Sequence, residues 1–351
     1  MSQKLLLIGP RFNQKEPKKS GGAIVLFENL LSELKHLDVA YEVIDSNKKN
    51  YPSSIIAPIN ILIGILIKQK NANHISLHSS NDYKLFAPVL ILISKFSNKQ
   101  ISLRKFGGEV WNVYSKAKGL KKQWLKFIFK NVDYLFLEIQ FIVSHFKNIN
   151  NNSFWFPNVR SLPQEIAPRR TFSKRFVFIS QVFPEKGVDQ ILEVSNQLPD
   201  DYSIHIYGPL KSEKYTNKYF NAYKAQYCGA LESHKVLDTL STYDVLLLPS
   251  YYKGEGYPGI IIESYSIGVP IIASNLAGIQ EITDVNKTGI LVPPKDTFAL
   301  KKAILHYNEK NYTYMSKKAK EKFKLFQSPD QTKKFLTTIQ CLKEEKSCVL
   351  G

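Results

Sequence analysis

The sequence predicts an α/β protein of two tandem doubly wound, Rossmann-like domains, with a cleft between them and a C-terminal helix returning to the first. Three observations carry this reading. The chain has 351 residues, and at roughly 100–200 residues per domain that is two domains. Short apolar runs alternate with helix-length segments, the pattern of a parallel sheet with helices on both faces. The rhythm breaks at Phe156–Arg170, where Pro157, Pro163 and Pro168 stand among few apolar residues and read as a linker. The expected boundaries are a first domain over 1–157, a linker over 158–172, a second domain over 173–328 and a returning helix over 329–347.

The first domain opens with the apolar run Lys4–Gly9. A helical pattern from Ala23 to His36 follows, with Leu26, Leu30, Leu31 and Leu34 at helix spacing. Strand-like runs come next at Ala40–Asp45, His74–His78, Gln100–Leu103 and Asp133–Leu137. The longest apolar stretch, near Ile55–Ile67, is interrupted by Pro58, Asn60 and Gly64. It is shorter than the ~20 residues a membrane span needs. In the second domain, strands are expected at Phe176–Ser180, Ser203–Tyr207, Val245–Leu248 and Val269–Ala273. Helices are expected from Gly187 and near Gly259–Ile267, and a final amphipathic helix over roughly Pro329–Glu345.

The formal net charge is +18, and residues 1–158 hold 22 Lys+Arg against 10 Asp+Glu. Such a field attracts phosphates on nucleotides, nucleic acid or lipid headgroups. Cys228, Cys341 and Cys348 fit no metal site or disulfide set, so a cytoplasmic location is expected. No signal peptide is read at the start. The last four residues, Cys348-Val349-Leu350-Gly351, hold the cysteine of a prenylation box but end in an unusual residue for one. There is no G-x-x-x-x-G-K-[ST] and no Asp-x-Asp.

The sharpest segment is Gly254-Glu255-Gly256-Tyr257-Pro258-Gly259-Ile260-Ile261-Ile262-Glu263. Two glutamates lie eight positions apart around a Gly/Pro turn. A strand leads in, and a helix begins near Gly259. Glu255 then sits on the loop and Glu263 about one turn inside the helix. The unpaired amides and partial positive charge of the helix N-terminus suit a diphosphate.

This segment resembles the E-x7-E motif of the retaining family 4 glycosyltransferases of GT-B fold (glycosyl transferases group 1), the kind found in bacterial surface-polysaccharide synthesis. Glu255, Gly256, Tyr257 and Glu263 match the pattern, Ser264 replaces a usual Ala, and Pro258 stands where Gly is common. Phe178-Ile179-Ser180-Gln181-Val182-Phe183-Pro184-Glu185-Lys186-Gly187 is similar to the family's G-R-L-x-x-E-K-G, with Gln181 in place of Arg. Gly278-Ile279-Gln280-Glu281-Ile282 and Gly289–Pro293 resemble its next helix start and strand. Gly9-Pro10 and the Gly21-Gly22 pair match its first-strand loop, and Asn158 its linker. The likeness is strong from Val177 to Val292 and loose before Phe156.

The resemblance implies a metal-independent hexosyltransferase that needs no cofactor, with a nucleotide-sugar donor and a glycan or lipid-linked acceptor. It implies catalytic roles for Glu255, on the sugar hydroxyls, and Lys186, on the diphosphate. Donor contacts fall on Glu263 (ribose), Gly259, Ile260, Gln181, Gly21 and Gly22. His78, which ends a strand, and Arg104, where the family often has a His-Gly, are the acceptor-side candidates. Lys118, Lys122, Lys126 and Lys130 form an i, i+4 row with Leu120, Trp124, Phe127 and Ile128 as the apolar side. That pattern fits either a solvated face or peripheral attachment to an anionic membrane. Three other readings stay open: a nucleotide-sugar epimerase on the same fold, a catalytically dead sugar-binding relative on account of Gln181 and Pro258, and a basic nucleic-acid-binding protein, for which no recognised motif is present.

Overall fold

The computed structural model describes residues 4–15, 21–161 and 171–342. The chain divides into two compact units, Met1–Ser161 with Gln327–Gly351, and Leu162–Phe326.

The first unit holds six parallel strands: β1 (Leu5–Gly9), β2 (Tyr41–Asp45), β3 (His74–Ser79), β4 (Gln100–Lys105), β5 (Tyr134–Leu137) and β6 (Ser153–Trp155). They lie in the order β2-β1-β3-β4-β5-β6. Between them run α1 (Gly22–His36), α2 (Ala57–Lys68), α3 (Tyr83–Ser97), α4 (Val110–Lys116), α5 (Gly119–Asn131) and α6 (Gln140–Phe146). All five residues of β1 are buried, as expected for a strand covered on both faces. One face of the sheet packs Leu5, Leu7 and Phe136 against Leu26, Phe27 and Leu30 of α1.

That face also carries polar side chains within the strands. Parallel register sets Ser76 beside Ser102 and His78 beside Arg104. His74 Nε2 lies 2.9 Å from Ser102 Oγ, which donates at 2.7 Å to Ser76 Oγ, which lies 2.9 Å from His78 Nε2. The chain of bonds reads as running from His74 to His78, with each imidazole neutral. Burial pushes the His74 pKa down to about 4. It holds His78 well below its ordinary value, with the charge of Arg104 adding to the effect.

On α5 the core side is Leu125, Ile128 and Phe129. Leu120 and Trp124, read above as part of that side with Ile128, are exposed. The helix thus has apolar residues both inward and outward. Of its lysines, Lys122 turns back to α4, donating to the Tyr114 carbonyl at 2.6 Å with its Nζ 3.6 Å from the ring centre. Lys118, Lys126 and Lys130 are exposed.

The second unit is a second six-stranded parallel sheet: β7 (Arg175–Ile179), β8 (Ser203–Tyr207), β9 (Gln226–Tyr227), β10 (Val245–Leu248), β11 (Ile271–Ser274) and β12 (Gly289–Val292), ordered β12-β11-β10-β7-β8-β9. Its helices are α7 (Val188–Ser195), α8 (Asn217–Phe220), α9 (Val236–Ser241), α10 (Gly259–Ser266), α11 (Ala277–Ile282), α12 (Thr297–His306) and α13 (Glu309–Phe323). β11 starts at Ile271 rather than Val269, because Pro270 has no amide to give the ladder and enters only as an acceptor, from Leu246 N. Chain order reverses between β7 and β10, the switch point where open α/β sheets bind ligands beyond the strand carboxyl ends.

The last helix, α14 (Ser328–Thr338), belongs to the first unit, where Phe335, Leu336 and the following Ile339 are in the core. It stops well before Glu345. Gln340 takes a left-handed backbone (φ 61°) and Cys341 N donates to the Leu336 carbonyl at 2.8 Å, closing the end in a Schellman-like turn. The stretch read as linker is packed at its start, since Phe156 and Val159 are buried in the same core. Linker residues 162–170, the expected helix end at 343–347, and Cys348 lie outside the described residues.

Candidate active site

Two loops meet at the switch point of the second unit. The first follows β7 and forms a single 3-10 turn, Pro184–Lys186, before Gly187. The second follows β10 and runs to Pro258, which caps α10 without a side-chain acceptor. Gly187 has φ 78°, and a Cβ there would sit 2.1 Å from the Pro249 carbonyl oxygen. Only glycine lets the first loop press this closely on the second. Backbone ties the loops as well: Tyr251 N donates to the Glu185 carbonyl at 2.7 Å.

This approach brings Lys186 and Glu255 together. Lys186 Nζ donates to both carboxylate oxygens of Glu255, at 2.9 and 2.6 Å. Their side chains are only 12% and 9% exposed. Ser250 Oγ donates to Glu255 Oε2 at 2.8 Å and accepts from Tyr252 N at 3.2 Å. The Lys186 ammonium also lies 5.4 Å from the Tyr252 ring centre and 5.9 Å from that of Phe183. A cation and a carboxylate, both mostly out of water, are thus held rigidly at a strand end. Neither is committed to a core contact that a ligand could not share, because an ammonium has three protons and a carboxylate several acceptor sites.

Along α10, Ile261, Ile262, Ser264, Tyr265 and Ser266 are buried, while Gly259, Ile260 and Glu263 are partly open. The uncovered strip of this helix therefore carries its first two amides and, one turn on, a carboxylate. Tyr257 anchors the loop from below: its hydroxyl donates to Glu281 Oε2 of α11 at 2.5 Å, and its ring meets Phe326 edge-on. Glu281 entered the sequence reading only as part of a matching helix start. Gln181, in the loop after β7, is exposed.

The remaining expected site residues are in the first unit. Gly21 and Gly22 open α1 with nothing within 4 Å of a Cβ added to either, so neighbouring atoms do not require glycine there. His78 and Arg104 differ from expectation. His78 is wholly buried, its ring 5.2 Å from Phe27 and 6.0 Å from Phe335. Arg104 is 2% exposed, stacks 3.5 Å above the Phe156 ring centre, and donates to the Pro157 carbonyl at 3.0 Å. Both side chains point to the face closed by α1 and α14, where an acceptor has no access. Being near a strand's end fixes a residue's height in the sheet, but register fixes its face.

Ser250 was missed entirely. A serine two residues past a strand has no pattern that marks it as a carboxylate's partner. The buried Lys105 and Glu138, at the ends of β4 and β5, were missed likewise. Glu138 accepts from Gly107 N at 2.9 Å, and burial brings the Lys105 pKa down to about 8.

Comparison with known proteins follows the same division. The family described as Glycosyl transferases group 1 matches residues 164–322. A teichuronic acid biosynthesis glycosyltransferase, TuaC of Bacillus subtilis, is 29% identical over 133 residues, which are 37% of this chain and 32% of that protein. The chain's matched segment thus spans about a third of that relative's length. Among solved structures, sucrose-phosphate synthase of Thermosynechococcus elongatus has a TM-score of 0.75 at 15% identity, covering 96% of this chain and 98% of that one. Anabaena HepE in complex with UDP-glucose has a TM-score of 0.71 at 12% identity, covering 97% and 100%. The fold is the two-domain α/β fold expected above under the name GT-B.

Proposed function

We propose that this chain is a retaining glycosyltransferase of surface-polysaccharide synthesis, taking a hexose from a nucleoside diphosphate and placing it on a glycan or lipid-linked acceptor. The observation that carries this reading is the Lys186–Glu255–Ser250 cluster, set beside the open strip of α10 at the switch point. The matching family and the teichuronic acid relative support the transferase class, and UDP-glucose in HepE makes uridine donors the first choice.

In this reading the diphosphate lies over the amides of Gly259 and Ile260, and Lys186 shares its protons between Glu255 and the phosphate. Glu255 accepts from the sugar hydroxyls, and Glu263 accepts from the ribose. The acceptor oxygen attacks the anomeric carbon on the face the nucleotide leaves, and the departing phosphate takes its proton. Negative charge grows on that phosphate as the glycosidic bond breaks, so fixed donors aimed at it lower the barrier. Lys186 and the helix amides supply this charge stabilisation, in keeping with a sequence that has no Asp-x-Asp. Pro258 gives no amide, which leaves the task to the two residues after it.

Binding of a nucleotide panel tests the reading. UDP and UDP-sugars should raise the melting temperature. Glu263→Ala should weaken UDP binding by about 1.5–3 kcal/mol, the loss of charge-assisted hydrogen bonds to a diol, with the fold intact. Unchanged UDP affinity in that variant overturns the ribose assignment, and no stabilisation by any nucleotide-sugar overturns the function.

A further inference from the structure

The first unit carries a surface that its own core does not explain. Helix α2 is apolar on its inner side and, apart from Asn60 and the terminal Lys68, on its outer side as well. Ala57, Ile61 and Ile65 face inward, yet Ile59, Ile63, Leu66 and Ile67 are exposed, Ile67 to 64%. A helix of this kind ordinarily has cover on every side. Its neighbour α3 adds Leu92 and Phe96, the latter 88% exposed, and α5 adds Leu120 and Trp124.

These helices form one face. The core between α1, α14 and the sheet contains residues of neither α2, α3 nor α5, and right-handed crossovers place all three on the opposite side. Local bonds join them. Lys48 pairs with Asp82 at 2.8 Å, next to the start of α3, and Lys99 donates to the Gln69 carbonyl at the end of α2. Trp124 Nε1 donates to the Lys84 carbonyl at 3.3 Å, tying α5 to α3. Scattered single apolar residues on a surface need no explanation, but eight large ones on three helices of one face do.

Charge identifies what covers it. Residues 46–131 contain fourteen lysines but only two acids, Asp82 and Glu109. Lys70, Lys95, Lys121 and Lys126 are exposed on or beside these helices. We propose that the α2–α3–α5 face is a docking surface for an anionic lipid bilayer, with the isoleucines of α2 entering the headgroup–acyl boundary and lysines meeting lipid phosphates. Long aliphatic side chains with a lysine rim are the composition of helices that lie in the membrane interface. A second copy of the chain fits less well, because a two-fold contact sets the same lysines against each other. Nucleic acid fits less well too, since the one arginine in this stretch, Arg104, is buried, and isoleucines give bases nothing to stack on. The inference stands on the first unit alone and not on the donor site.

Co-sedimentation of the full chain tests it, using phosphatidylcholine vesicles with and without phosphatidylglycerol. Wild type should partition at least roughly tenfold better into the anionic vesicles, with the gain falling as salt rises. Ile63→Glu/Ile67→Glu should abolish binding at every salt concentration. Lys121→Gln/Lys126→Gln should reduce the preference for phosphatidylglycerol. All four positions are exposed, and Ile67→Lys alone, which keeps the charge sign, separates loss of insertion from loss of attraction. A melting temperature for each variant checks the fold. The proposal is overturned if wild type stays in the supernatant with anionic vesicles, or if Ile63→Glu/Ile67→Glu sediments like wild type. It is also overturned if sedimentation velocity shows a concentration-dependent dimer that the same double variant dissolves, which would make a second copy the occupant.

Discussion

The two sheets share a six-stranded parallel plan but keep their charge in different places. In the second unit the strands that lead to the site are apolar, Phe176–Ile179 in β7 and Val245–Leu248 in β10, and the charged pair sits past their ends: Lys186 after β7, Glu255 after β10. In the first unit the polar groups lie inside the strands, in the His74–Ser102–Ser76–His78 chain and in Arg104 beside it. A charge on a loop held by backbone contacts remains available to a ligand. A polar group within a covered strand is spent on its neighbours, and what it governs is stability.

The largest effect should come from Lys186→Ala. If that side chain meets charge that grows in the transition state, kcat should fall by roughly 10²–10³, as on loss of an oxyanion donor. Single-turnover measurement with a UDP-sugar checks this. An unchanged kcat would remove the chemical half of the comparison.

The polar chain of the first unit should instead appear in the pH dependence of stability. His74 is neutral when folded, with its pKa pushed down to about 4, while in the unfolded chain it titrates near 6.5. The unfolded state therefore binds the extra proton first, and stability falls as pH drops from about 6.5 towards about 4. Across that window His74 alone accounts for about 3 kcal/mol, and His78 adds in the same direction. Urea unfolding at a series of pH values should show the slope, and His74→Gln should flatten it. An equal slope in the variant would mean that other groups control acid stability.

Ser250→Ala should give the smallest change and sharpen the comparison most. Removing one hydrogen bond to Glu255 should cost about 1 kcal/mol, or roughly fivefold. The loss should appear in discrimination among donors that differ only in the sugar, with affinity for bare UDP unchanged. A uniform loss for UDP and every donor would reduce Ser250 to a support of the loop.

What the sequence made legible follows the same division. The places of Glu255, Gly259, Glu263 and Lys186 in the fold were readable because a turn, a helix start and a strand end each demand particular residues within a short span. Local demands of that kind leave a pattern. His78 and Arg104 were misplaced because the face they take depends on strand register and on α14, whose Phe335 arrives from far along the chain. The outward isoleucines of α2 were hidden for a related reason: composition shows that a helix is apolar but not which sides have neighbours. Ser250 became visible only when Glu185, Tyr252 and Glu255 were placed around it.

The return of α14 also sets an order of assembly on the ribosome. The first unit needs Phe335, Leu336 and Ile339 to close one face of its sheet, and these leave the ribosome only after all of Leu162–Phe326. At bacterial-to-eukaryotic synthesis rates that interval is roughly ten to thirty seconds. Throughout it, His78, Phe136 and Phe156 lack the Phe335 ring that packs on them, and the second unit, encoded later, is the first whose residues are all present. The nascent chain therefore leaves those rings without their cover while half of it is still being made, and early release of a truncated product would leave them open for good.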